Sequence, residues 1–109
     1  MSVTRMAAVI RLRPEKEAEY RALHEHVWPG VAATLRENGI TNYSIFLRDG
    51  VLFSYFEFRG DDYEEAMARI ASDETTKEWW TLTDPCQQRV DSATESEWWA
   101  PAEELFHLD

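Results

Sequence analysis

Residues 41–58 read Thr-Asn-Tyr-Ser-Ile-Phe-Leu-Arg-Asp-Gly-Val-Leu-Phe-Ser-Tyr-Phe-Glu-Phe. Thr41 to Arg48 alternates with period two, placing Tyr43, Ile45 and Leu47 on one side and Asn42, Ser44 and Phe46 on the other. Asp49-Gly50 is a two-residue hairpin turn, because both positions tolerate the positive φ that such a turn demands, and Val51 to Phe58 returns antiparallel. Large apolar side chains stand on both sides of this hairpin, so both faces of the sheet it belongs to need covering.

Upstream, Thr4 to Leu12 reads as a strand closed by Arg13-Pro14. A helical pattern then runs from Glu15 to Asn38 and stops at Gly39, a good left-handed terminator. Pro29 interrupts it by removing an amide donor and crowding the Glu25 carbonyl, which predicts a kink or two abutting helices over 15–27 and 29–38. Downstream, Gly60 ends the hairpin, and Asp61 with Glu64 predicts a capped helix to about Ala71. A second helix over 74–82 carries Trp79 and Trp80 and ends before Asp84-Pro85, residues 91–97 are loop-like, and Glu103 to Leu108 alternates as a last strand. The order β-α-β-β-α-β is the ferredoxin-like split βαβ arrangement of the α+β class: one domain over 1–109, with helices on one face of a four-stranded antiparallel sheet. Two subunits are expected to cover each other's sheets, with the helix-free face also lining a ligand cavity.

The net charge of −10 opposes binding to nucleic-acid phosphates and anionic membrane surfaces, and leaves a small neutral or cationic ligand as the easier partner. Cys86 is the one cysteine, no Cys/His cluster has the spacing of a structural zinc site, and no apolar run has the length of a signal core or membrane span, so a cytoplasmic location is expected. Five tryptophans are many for 109 residues, and Trp79-Trp80 and Trp98-Trp99 are adjacent pairs. Paired indoles suit a sugar-binding wall or a dimer seam.

The chemistry concentrates in Tyr20 to Trp28, Tyr-Arg-Ala-Leu-His-Glu-His-Val-Trp. At helical spacing Tyr20, His24, Val27, Val31 and Leu35 share one stripe, so a phenol and an imidazole face inward with three aliphatic residues. An imidazole with an ordinary pKa of about 6.5 is the natural proton carrier near neutrality. His26 points to the far side, His107 reads as structural, and Glu57 and Asp84 read as surface acids.

Tyr20-x-x-x-His24-x-x-x-Trp28-Pro29, the run Gly39 to Leu47, the pair Trp79-Trp80 and the ending Leu105-Phe106-His107-Leu108-Asp109 together resemble the L-rhamnose mutarotases, from the first strand to the last residue. The resemblance implies a dimeric α/β barrel and an enzyme, without cofactor, that interconverts the α and β anomers of L-rhamnopyranose. Carried over by position, His24 matches the family's proton donor, and Tyr20, Tyr43, Trp79 and Trp80 match its substrate-binding residues. Such chemistry needs a proton delivered to the ring oxygen and another taken from the anomeric hydroxyl. His24 suits the first task, Tyr20 with an ordinary pKa of about 10 suits hydrogen-bond donation, and the acceptor of the anomeric proton is left open. The chain departs from the family's pattern at Thr81 to Cys86, where a more basic, methionine-containing stretch is usual, and at Trp98-Trp99. A cofactor-independent oxygenase on the same dimeric fold and a non-catalytic ligand-binding dimer are the competing readings, because fold alone does not decide function.

Overall fold

The computed structural model describes residues 3–109. Its sheet is built from β1 (Val3–Leu12), β2 (Ile40–Arg48), β3 (Val51–Arg59), β4 (Gln87–Gln88) and β5 (Ala100–Ala102), and its helices are α1 (Glu17–Glu25), α2 (Pro29–Glu37), α3 (Tyr63–Ser72) and α4 (Glu74–Thr83). The sheet is antiparallel in the order β2-β3-β1-β4, with β5 also on β1, which is the split βαβ order. The hairpin forms as expected: Arg48 pairs with Val51, and Asp49 and Gly50 take φ of 51° and 74°.

One feature of β2 escapes simple alternation. Thr41 pairs with Glu57 and Ser44 with Tyr55, so one extra residue bulges between them, and Asn42 turns to φ 48° to make it. The bulge lets Ile40 and Ile45, five positions apart, serve the same face: Ile40 is paired with Phe58 and Ile45 with Ser54. Gly39, at φ 84°, passes so close to β3 that its carbonyl accepts from the Arg59 amide at 2.8 Å.

Pro29 gives two helices. Trp28 is held extended at ψ 132° by the proline that follows, and α1 already ends at Glu25, two residues short of the expected boundary. Val27 therefore leaves the predicted stripe and is 40% exposed. The cap of α3 is Asp62 rather than Asp61, its carboxylate accepting from the Glu65 amide at 3.0 Å. Asp73 caps α4 in the same way through Thr76.

The expected last strand over 103–108 does not form. The free edge of β1 is taken by β4 opposite Arg11 and Leu12 and by β5 opposite Ala7 to Val9. Beyond Ala102 the ladder gives way to a side-chain clasp, in which Arg5 Nε and Nη2 donate to the Glu104 carboxylate at 2.6 and 3.2 Å. The alternation read over 103–108 reflects apolar groups that no described residue covers; Leu105, Phe106 and Leu108 are all exposed.

The helices pack on one sheet face through two separate clusters. Ile10, Leu12, Leu52, Tyr20 and Cys86 form one, and Ile40, Phe58, Ala66 and Ile70 the other. On the opposite face Phe53 stands between Val9 and Phe46 in one cross-strand row, with Phe46 62% and Phe53 44% exposed.

Candidate active site

Between the two core clusters lies a cavity of about 550 Å³, well within the range of small-molecule sites. The inward rungs of β1 and β3 explain it. Ile10 opposite Leu52 fills the space below the helices, but the neighbouring rung is Ala8 opposite Ser54, whose short side chains do not reach the helices. The cavity is thus on the helix-covered face, and the expectation that the helix-free face lines it is corrected: the determining feature is one rung of small residues. Sheet residues form its floor, and all four helices contribute to its walls.

His24, half-buried on α1, projects into this space. Its Nδ1 lies 2.9 Å from the Tyr20 carbonyl oxygen, one helical turn earlier. A carbonyl only accepts, so Nδ1 carries a hydrogen, and Nε2 is the atom left to exchange a proton with a ligand. The ring is held between Tyr20, centroid 4.2 Å away at 34°, and the edge of Trp79 at 5.5 Å. Trp79 in turn meets Trp28 edge-on at 5.3 Å. The Trp28-Pro29 break therefore gives Trp79 an indole to lean on, and Trp79 orients the imidazole.

Tyr20 is buried, and its hydroxyl accepts from Gln87 Nε2 at 3.2 Å. Burial pushes its ionisation up to about 12, against the smaller opposing effect of the Gln87 hydrogen bond, so the phenol stays a neutral donor and acceptor at physiological pH. Tyr43 reaches the cavity from the β2 bulge with its ring edge-on to Phe56 at 5.4 Å. Although 43% of the residue is exposed, desolvation of its phenol also raises its ionisation. Trp79 is buried; Trp80, a hundred degrees round α4, lines the cavity while keeping an outer edge in solvent.

All five residues singled out in the sequence (Tyr20, His24, Tyr43, Trp79 and Trp80) thus border one space. His26 is exposed, and His107 is clasped by Asp109 at 2.7 Å away from it. Glu57 lies off the cavity, bonded to Asn42 and Tyr55 and held below the usual carboxylate range by them.

Asp84, Gln87, Ser54 and Trp98 were not legible as cavity residues. Asp84, read as a surface acid, is indeed exposed, yet it also lines the cavity mouth and is the one carboxylic acid among the described lining residues; desolvation raises its ionisation, opposed by the Trp98 indole. Gln87 is buried between Tyr20 and Trp98, whose Nε1 donates to Gln87 Oε1 at 2.9 Å. Ser54 sits in the floor. The departures noted at 81–86 and at Trp98-Trp99 were the available signal, since both fall on this wall. Among the described residues no three His, Cys, Asp or Glu side chains converge as they would around a metal ion.

Fold and site together define a ferredoxin-like α+β protein whose cavity offers an imidazole, three phenols (Tyr20, Tyr43 and Tyr63), a carboxyl and indole faces to a small polar ligand. The model of the L-rhamnose mutarotase family matches residues 5–108. L-rhamnose mutarotase of Tolumonas auensis is 40% identical over 78 residues, covering 70% of this chain and 72% of that protein. L-rhamnose mutarotase of Oceanobacillus iheyensis is 30% identical over 107 residues, covering 96% and 98%. The crystal structure of an L-rhamnose mutarotase from Formosa agariphila superposes with a TM-score of 0.74 at 24% identity, covering 97% of this chain and 99% of that one. The chain belongs to the L-rhamnose mutarotase family.

Proposed function

We propose that this cavity opens and recloses the ring of L-rhamnopyranose, interconverting its anomers by acid/base catalysis. The observation that carries the reading is His24, its Nδ1 tied to the Tyr20 carbonyl and its Nε2 free within a half-enclosed cavity. Protonated Nε2 gives its proton to the ring oxygen as the C1–O5 bond breaks, while a base takes the anomeric hydroxyl proton and leaves the open aldehyde. Rotation about C1–C2 and the reverse transfers close the other anomer, so both groups return to their starting states. Asp84 is the base best supported, as the carboxyl among the cavity's lining residues. Tyr20 and Tyr43 bind sugar hydroxyls, and Trp79 and Trp80 cover the C–H groups and the 6-methyl.

Saturation-transfer NMR of L-rhamnose with the protein, beside L-fucose and D-galactose, tests the reaction and its substrate; exchange no faster than in buffer for every sugar would sink it. Asp84→Asn is expected to lower kcat about 10²-fold, the size of one proton-transfer contribution, with KM changed little. Unchanged kcat would reassign the base.

The same reading includes a homodimer in the cytoplasm. The row Val9, Phe53 and Phe46 is too apolar to face water, and the exposed Leu105, Phe106 and Leu108 extend beyond the Arg5–Glu104 clasp as an arm suited to a neighbouring copy. Phe46→Asp with Phe53→Asp is expected to turn a dimer into a monomer in sedimentation equilibrium. A dimer that survives both changes would place the interface elsewhere.

A further inference from the structure

The wall beside His24 holds a hydrogen-bonded chain whose direction is set at its outer end. An indole Nε1–H can only donate, so Trp98 meets Gln87 through the amide oxygen, at 2.9 Å. The reversed amide would turn an NH₂ group against the indole N–H, donor against donor. With its oxygen engaged, Gln87 presents Nε2–H to the Tyr20 hydroxyl oxygen at 3.2 Å. Gln87 is 3% exposed and Tyr20 5%, so bulk water does not compete at either. A phenol has one hydrogen and two acceptor sites; Gln87 occupies an acceptor site, and the Tyr20 O–H is left to point elsewhere. The space beside it is the cavity.

We propose that Trp98 and Gln87 are positioning residues that set the Tyr20 hydroxyl as a hydrogen-bond donor toward the ligand, so that this point of the cavity selects an acceptor oxygen of the sugar. The inference rests on Tyr20 being a sugar contact, as in the reading above. It also assigns a task to Trp98, one of the residues by which this chain departs from its family's pattern. Neither Trp98 nor Gln87 transfers a proton: Gln87 acts through Tyr20, and Trp98, whose indole N–H is bonded to Gln87 and also lies near Asp84, reaches Tyr20 through Gln87, so its effect on the sugar contact is read in KM and not in kcat.

Gln87→Glu tests it with nearly the same shape. Its ionised carboxylate only accepts, so it takes the Tyr20 hydrogen for itself and the sugar loses its donor. KM is expected to rise about 10-fold with kcat within about 3-fold of the parent, the cost of one buried hydrogen bond. As pH falls and the carboxyl is protonated, it donates again as the amide does. The ratio of variant to parent KM should then fall toward one; burial raises the carboxyl's ionisation, the hydrogen bonds it accepts from Trp98 and Tyr20 oppose this, and the titrations of His24 and Asp84 in the same cavity are common to both proteins and divide out of the ratio. A KM equal to the parent's, or one raised equally at every pH, overturns the relay, because lost packing has no reason to follow that titration. Should Gln87→Glu not fold, the cycle of Trp98→Phe and Tyr20→Phe decides. Trp98→Phe is expected to raise KM about 3-fold alone and not at all when the Tyr20 hydroxyl is absent; independent, multiplying effects overturn the proposal. Tyr20→Phe with unchanged KM removes the sugar contact itself and the relay with it. A raised KM in Tyr20→Phe beside a pH-independent Gln87→Glu removes the relay alone.

Discussion

His24→Ala is expected to slow anomer exchange by about 10²–10⁴-fold, the usual contribution of a positioned general acid. The effect should fall on kcat and kcat/KM together, because the proton moves only as the ring bond breaks and the ground-state sugar gains little from it. Two features of the site make the imidazole hard to replace. Its Nδ1 is committed to the Tyr20 carbonyl at 2.9 Å, so the reactive nitrogen has one orientation, and Tyr20 and Trp79 hold the ring on two sides. Truncation also empties a half-buried position, at a stability cost of about 1 kcal/mol, so a thermal melt beside the NMR exchange measurement separates lost chemistry from lost fold. Full exchange by a folded His24→Ala protein would be fatal to the mechanism.

The largest effect on stability is expected at Gly39→Ala. Gly39 has φ 84°, a region that L-residues with a Cβ rarely adopt, and a methyl group there would lie 2.3 Å from the Arg59 carbonyl oxygen. That oxygen belongs to backbone, and the adjacent Arg59 amide is bonded to the Gly39 carbonyl at 2.8 Å, so neither side can move without opening the junction of β2 and β3. Conformational strain and the clash together are expected to cost more than about 3 kcal/mol, or more than about 10 °C in melting temperature. Gly30→Ala is the control. It lies within α2, where a methyl group would meet only the Thr75 side chain at 3.1 Å, and its change should stay within about 1 kcal/mol. Equal losses at the two glycines would contradict the backbone account.

Local chemistry made much of this legible. Asp49-Gly50 dictates its own turn, Pro29 its own break and Gly39 its own left-handed stop, because each is settled by the φ its residue permits. Tyr20 and His24 could be placed together because four residues on a helix return to the same side, and their ring centroids are 4.2 Å apart. Alternation misled in Glu103 to Leu108, where it marks apolar groups left exposed among the described residues, and helical periodicity misled at Val27, which the break before Pro29 turns outward.

By itself the sequence determined the split βαβ order, the hairpin, the helix break and the pairing of an imidazole with a phenol, all consequences of short-range sterics and period. Only the tertiary structure decided that the cavity lies under the helices and that Asp84, Gln87 and Trp98 belong to it. The first follows from the cross-strand pairing of Ala8 with Ser54, 46 positions apart. The second follows from β4 pairing with the end of β1, which joins Gln87 to Tyr20 across 67 positions. No periodicity announces such contacts, because the free energy that makes them is gained only when distant strands and helices have already closed the space between them.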